Sequence, residues 1–199
     1  LNNRGVRNVS TFGSVGGGSL TFIKKLTASS SATLSFEDGS ASVVLDDTYK
    51  EYMFTFNNIH PETDAANFLF QGNAAGGSGY NETMTTTVFR AYHNETDADT
   101  NLYYGGENDQ AQGTSFQMLM DACDNDNDSC LAGSLRLFNP SNTTFVKHFI
   151  ADCQAVIGTY SQESFTAGYF NTTSAIDEIQ FKFHTGDIDA GDICLYGIK

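Results

Sequence analysis

The chain has 199 residues, enough for one domain that buries a sizeable core without a disulfide or metal, and its 40% hydrophobic and 13% aromatic content fits a packed globule. A formal charge of −14 repels phosphate backbones and anionic bilayers, which argues against nucleic acid and membrane as partners. No apolar run approaches the length of a membrane span, and residues 1–19 hold no apolar core of a secretion signal.

Residues 1–19 end in "GSVGGGSL", a Gly/Ser-rich stretch that reads as a flexible N-terminal arm, and a single domain is expected over residues 20–199. From Leu20 onward the hydrophobic pattern has period two, with almost no helical periodicity. In chain order, the inward faces are predicted to be Ala32, Leu34 and Phe36; Tyr52, Phe54 and Phe56; Met84, Val88 and Tyr92; Phe116, Met118 and Met120; Leu135 and Leu137; and Ile179, Phe181 and Phe183. Turn-rich segments such as "EDGSAS", "GNAAGGSGYNE" and "YGGENDQAQG" separate these runs, and "GDIDAG" (186–191) reads as a hairpin turn. About ten strands, each polar on one face, imply an all-β fold: an antiparallel two-sheet sandwich, jelly-roll-like, with the arm extending from it.

Templates for catalysis find no match. The sequence has no Gly-rich phosphate loop, no Gly-x-Ser-x-Gly elbow and no zincin helix, and His60, His93, His148 and His184 are scattered singly. No catalytic residue is therefore nominated, and the chain is expected not to be an enzyme. The most conspicuous local feature is "DACDNDNDSC" (121–130). Asp124, Asp126 and Asp128 occupy the first three ligand positions of an EF-hand loop, but Ser129 stands where Gly belongs and Leu135 where the bidentate Glu belongs. That template is rejected. Two readings stay open: a looser Ca²⁺ site on the three aspartates, or a hydrated loop. Cys123 and Cys130 bracket the loop and could close it as a disulfide, or all four cysteines could be free thiols. Tyr80, Tyr103 and Tyr104, with Tyr92, lie in or beside long loops, where they could stack on a sugar or plug a sandwich end or a subunit interface.

The phrases "LTFIKKLTASSSATLSF", "TYKEYMFTFNNIHPETD", "LRLFNPSNTTFVKHF" and "FKFHTGDIDAGDICLYGIK" resemble a group of small virion structural proteins of marine tailed bacteriophages, over roughly residues 20–199. The resemblance implies a β-sandwich building block on the virion surface, as a head decoration or a tail- or fibre-associated module. Its implied partners are other virion proteins and copies of itself, with a trimer expected. It carries no catalytic residues over. The arm and Leu20–Phe36 are the expected attachment segment. A carbohydrate-binding or receptor-binding tip that contacts a host glycan is the alternative.

Overall fold

The computed structural model of the chain describes residues 19–199, and among them it contains twelve strands and no helix. The expected arm lies outside the described residues apart from Ser19. The strands, numbered in chain order, form two antiparallel sheets. The larger has the order β1 (Leu20–Thr27), β12 (Ile188–Ile198), β3 (Glu51–Pro61), β8 (Leu131–Phe138), β9 (Lys147–Ile157), β10 (Tyr160–Phe170), β5 (Met84–Asn94) and β6 (Thr100–Tyr104). The smaller has the order β2 (Leu34–Glu37), β11 (Ile176–Phe183), β4 (Ala66–Ala74) and β7 (Gln117–Cys123).

Alternation along the strands decides which residues meet between the sheets. Tyr52, Phe54 and Phe56 point inward from β3 and are fully buried, as are Phe36, Phe68, Phe70 and Phe181 from the facing sheet. Phe181 is the hub, with its ring centroid 5.3 Å from Phe54, 5.2 Å from Phe56 and 6.0 Å from Phe68. Most of these pairs meet edge to face, the arrangement that the ring quadrupole favours. Burying each such ring stabilises the fold by roughly 1.5–3 kcal/mol. Leu34, Phe36, Leu135, Leu137, Ile179 and Phe183 also take the inward positions that their alternation predicts.

Three expectations are corrected. Along the first part of β7 the phase is shifted by one residue: Gln117 and Leu119 are buried and Phe116 and Met118 only half-buried, whereas Met120 is fully buried as its alternation predicts. Register irregularities where β4 pairs with β7 account for the shift. Gln117 tolerates burial because its amide donates to the carbonyls of Asn108 (2.9 Å) and Met118 (2.8 Å) and accepts from the Thr86 hydroxyl (2.8 Å). Ala32 lies outside β2 and is exposed. The "GDIDAG" segment is no hairpin either, because β11 belongs to the smaller sheet and β12 to the larger; the chain crosses between layers there.

β9 and β10 do form a hairpin, one that the alternation count passed over. Ile157 pairs with Tyr160 across the two-residue turn Gly158–Thr159. Gly158 has φ +57°, at the first turn position that a type II′ turn reserves for glycine. This hairpin, with β5 and β6, extends the larger sheet. On the inner side of β5 and β10 the buried residues include Met84, Thr86, Val88, Arg90, Ser164, Thr166 and Phe170, so that beyond the Met84–Phe170 end this side is more polar than the aromatic core.

Candidate functional site

The nominated aspartates follow β7 in a loop beside the β9–β10 turn. The Asp124 carboxylate accepts a hydrogen bond from the Gly158 N–H. The Asp126 carbonyl lies 3.2 Å from His60 Nε2, while His60 Nδ1 lies 3.5 Å from the Asp189 carboxylate. A polar hollow lined by Asn58, His60, Asn127, Asp128, Ser129, Cys130 and Asp189 opens next to them. Among the described residues no group of three or more His, Cys, Asp or Glu side chains is placed to hold a metal ion.

All four cysteines are free thiols. Cys123 is buried in the core, whereas Cys130 is half-buried, with Sγ 3.8 Å from Asn58 Oδ1. Burial pushes the Cys123 thiol up to about 12 and the Cys153 thiol well above its ordinary value, so neither is a thiolate at neutral pH.

The nominated tyrosines do not converge. Tyr80 lies against Phe116, itself under the Lys182 ammonium at 4.2 Å, on the outer side of the smaller sheet. Tyr103 and Tyr104 are consecutive on β6 and so face opposite sides of the larger sheet. The Tyr103 hydroxyl accepts from Arg90 Nη1 at 3.4 Å, and its ring meets the edge of Tyr92, which also meets Tyr160. The Tyr104 hydroxyl is exposed and donates to the Asp109 carboxylate.

The strongest surface feature lies on the outer side of the β8–β9–β10–β5 strands. Phe89 and Phe165 stack there, with centroids 4.7 Å apart and planes 14° from parallel. Beside them stands Ile150; Phe89 is 44% exposed and Ile150 51%. They line a hollow of about 520 Å³ together with Thr87, Ser134, Arg136 and Asp152. It continues into a shallower one along Thr85, His148, Ala167 and Tyr169. The charges at the rim are largely tied up. Ser134 donates to Asp152 at 2.7 Å, and Arg136 pairs with Glu51, which raises the guanidinium pKa. Glu163 nearby is pushed above the ordinary carboxylate range by burial first and by Asp152 second. The smaller sheet packs on the opposite side, and among the described residues no strand covers this one.

The chain matches no family model, no curated relative and no solved structure.

What the geometry brings together was therefore not nominated from the sequence. The usable signal was in "KHFIADCQAVI", where Phe149, Ala151, Cys153 and Ala155 alternate with Ile150 and Val156. Ile150 and Val156 stand on an outer side that is otherwise polar at His148, Asp152 and Gln154, and apolar residues there mark a surface with something to bury. In β10, Phe165, Ala167 and Tyr169 alternate with Ser164 and Thr166, and a reading by polarity alone would place the wrong side inward.

Proposed function

We propose that the chain is a non-enzymatic structural module of a tailed-phage virion, a head decoration or tail- or fibre-associated sandwich that works through protein–protein contacts at the particle surface. The observation that carries the reading is the uncovered apolar side of the larger sheet, centred on Phe89, Ile150 and Phe165. Contiguous exposed apolar surface with a polar rim is the mark of a contact surface. Elsewhere, a chain with 24 acidic and 10 basic residues repels its own copies, so contacts between copies concentrate where charge is low.

We read the connectivity as a jelly roll with two insertions, β5–β6 between β4 and β7 and β9–β10 between β8 and β11. Leaving out β5, β6, β9 and β10, eight strands remain in two four-stranded sheets, β1-β12-β3-β8 and β2-β11-β4-β7. This is the double-sheet, eight-strand plan of that fold, which recurs in viral shells. A trimer is the expected closed assembly.

The test is to locate the chain in intact particles by cryo-electron microscopy and to compare incorporation of the wild type with Ile150→Asp and Phe89→Asp. The expected result is a chain at the shell or tail with this sheet side buried against a neighbour, and variants that fold but fail to incorporate. A chain missing from purified particles overturns the reading.

One observation favours a second reading. A stacked aromatic floor flanked by Ser134, Arg136 and Asp152 is also a platform for a sugar ring. On this reading a glycan array gives hits that Phe165→Ala removes, with Ca²⁺ making no difference to them.

A further inference from the structure

The larger sheet has eight strands and the smaller four, and among the described residues the inner side of the larger one runs on past β7, the edge strand of the smaller. Three tyrosines stand on this overhang. Strand alternation puts Tyr92 on the side of the buried Arg90 in β5, and Tyr160 with Gln162 on the side of the buried Ser164 in β10. Tyr103 of β6 pairs directly with Arg90 and so shares its side.

The Tyr92 and Tyr160 rings lie 5.6 Å apart with planes 85° from parallel, so together they wall a right-angled corner. Tyr103 braces Tyr92 from 6.2 Å at 69°. With Asp99, Ile157 and Gln162 the two rings line an open hollow of about 220 Å³. That is less than the roughly 300–1,000 Å³ of sites for drug-sized ligands, and it suits a group of only a few heavy atoms.

The polar atoms say which group. Gln162 spends its amide N–H groups on the Asp121 carboxylate at 2.6 Å and the Met120 sulfur at 3.3 Å, so it is the amide oxygen that can serve a ligand. The Tyr160 hydroxyl donates to one Asp99 carboxylate oxygen at 3.2 Å, and the other oxygen is left open at an exposed position. Two donors of the corner are thus already used, and it offers mainly acceptor oxygens and ring faces. Charge points the same way. Residues 91–135 contain nine acidic residues and no lysine or arginine, with Glu95, Asp97 and Asp99 in the loop between β5 and β6. Arg90 is buried, donates to Tyr103 and is neutralised by Asp121. An anion is repelled here, and sugar hydroxyls would need more donors than the corner leaves. A cation gains from both the ring quadrupoles and the carboxylate.

We propose that Tyr92, Tyr160 and Asp99 form a binding site for a small organic cation, a quaternary ammonium group whose methyls pack on the two rings and Ile157 while its charge faces Asp99 and the Gln162 amide oxygen. The hollow is on the inner side of the sheet, away from Phe89, Ile150 and Phe165, so the site neither needs nor tests the assembly reading.

Nuclear magnetic resonance of the full chain with isotope-labelled tyrosine rings tests this. Choline is the probe, and its control is the neutral alcohol of the same shape that carries a tert-butyl group in place of trimethylammonium. Choline is expected to shift the Tyr92 and Tyr160 signals with a Kd on the order of 1 mM, and the neutral alcohol to leave them in place. Tyr92→Ala should weaken choline about tenfold, whereas Tyr92→Phe, which keeps the ring, should stay within about twofold of the wild type. Asp99→Asn can still accept the Tyr160 hydroxyl and sits at an exposed position, so it tests the charge without disturbing the fold; it should weaken choline several-fold. A trimethyllysine peptide carries the same group on a protein: tighter binding than choline assigns the site to a side chain, and equal or weaker binding assigns it to a free solute. Tyrosine signals that ignore choline, or that respond equally to the neutral alcohol, overturn the proposal. So does an Asp99→Asn variant that binds choline as the wild type does.

Discussion

In the half of the larger sheet formed by β1, β12, β3 and β8, the inner residues are Tyr52, Phe54, Phe56, Leu135, Leu137, Ile193 and Leu195, and they meet the aromatic face of the smaller sheet. In the middle of β10 and β5 the arrangement changes. Beyond the buried Met84–Phe170 pair, their inner side holds Val88 together with the polar Thr86, Arg90, Ser164 and Thr166, while Phe89 and Phe165 stack on the outside, and Leu102 on β6 is exposed. The first half obeys the ordinary economy of folding, in which apolar side chains leave water for the core. The second is organised around a surface; inside it Thr86 and Arg90 are hydrogen-bonded, whereas the Ser164 and Thr166 hydroxyls have no partner among the described residues. Arg90 is almost fully buried and donates to the Asp121 carboxylate, whose other oxygen accepts from Gln162 at 2.6 Å.

The comparison breaks most visibly at its extremes. Phe181→Ala empties the centre of the aromatic cluster and should cost about 3–5 kcal/mol in chemical unfolding. Ile150→Ala on the outer side should cost under ~1 kcal/mol in the isolated chain. Equal costs would mean that the outer side belongs to the folding core and that the two halves do not differ.

A subtler break is in the polar interior. Asp121→Ala leaves Arg90 buried without its counter-charge, and an expected loss of about 3 kcal/mol follows from stranding a buried charge. The double variant Arg90→Met/Asp121→Leu removes both charges and should recover most of that loss. Urea unfolding of the two proteins separates a structural ion pair, for which the recovery holds, from side chains whose individual shapes are needed, for which it does not.

The legibility of the fold follows the same division. In the core half, alternation coincides with burial, so Leu34, Tyr52, Phe54, Leu135, Ile179 and Phe181 could be assigned inward from the sequence. Where polarity is inverted, as at Phe165 and Thr166, or where a register irregularity shifts the phase, as at Gln117, alternation survives but no longer says which side is in. The sheet side that forms the candidate site was hidden for this reason. Its residues come from four strands that neighbour one another only after the β9–β10 hairpin has folded back. The tyrosines were visible as exposed aromatics, yet their separation onto two sheets is a matter of topology that spacing along the chain does not carry.

The smallest effect concerns the link between the two regions. The Asp124 carboxylate accepts the Gly158 N–H, so the aspartate loop that follows the smaller sheet holds the turn of the β9–β10 hairpin on the larger one. A carboxylate bonded to a single backbone donor at a half-exposed position contributes about 1 kcal/mol, and Asp124→Ala should lower the unfolding free energy by that much. Calcium bound through Asp124 would have to take this carboxylate from Gly158, and the described residues assemble no group of three acidic, histidine or cysteine side chains in compensation. Millimolar Ca²⁺ is therefore expected to leave the thermal midpoint of the wild type unchanged. A rise that disappears in Asp126→Ala would show instead that the loop rearranges around the ion, because a ligand that binds only the folded state must stabilise it. In that case the loop would be a metal-controlled clasp on the hairpin, and the exposure of the outer sheet side would become calcium-dependent.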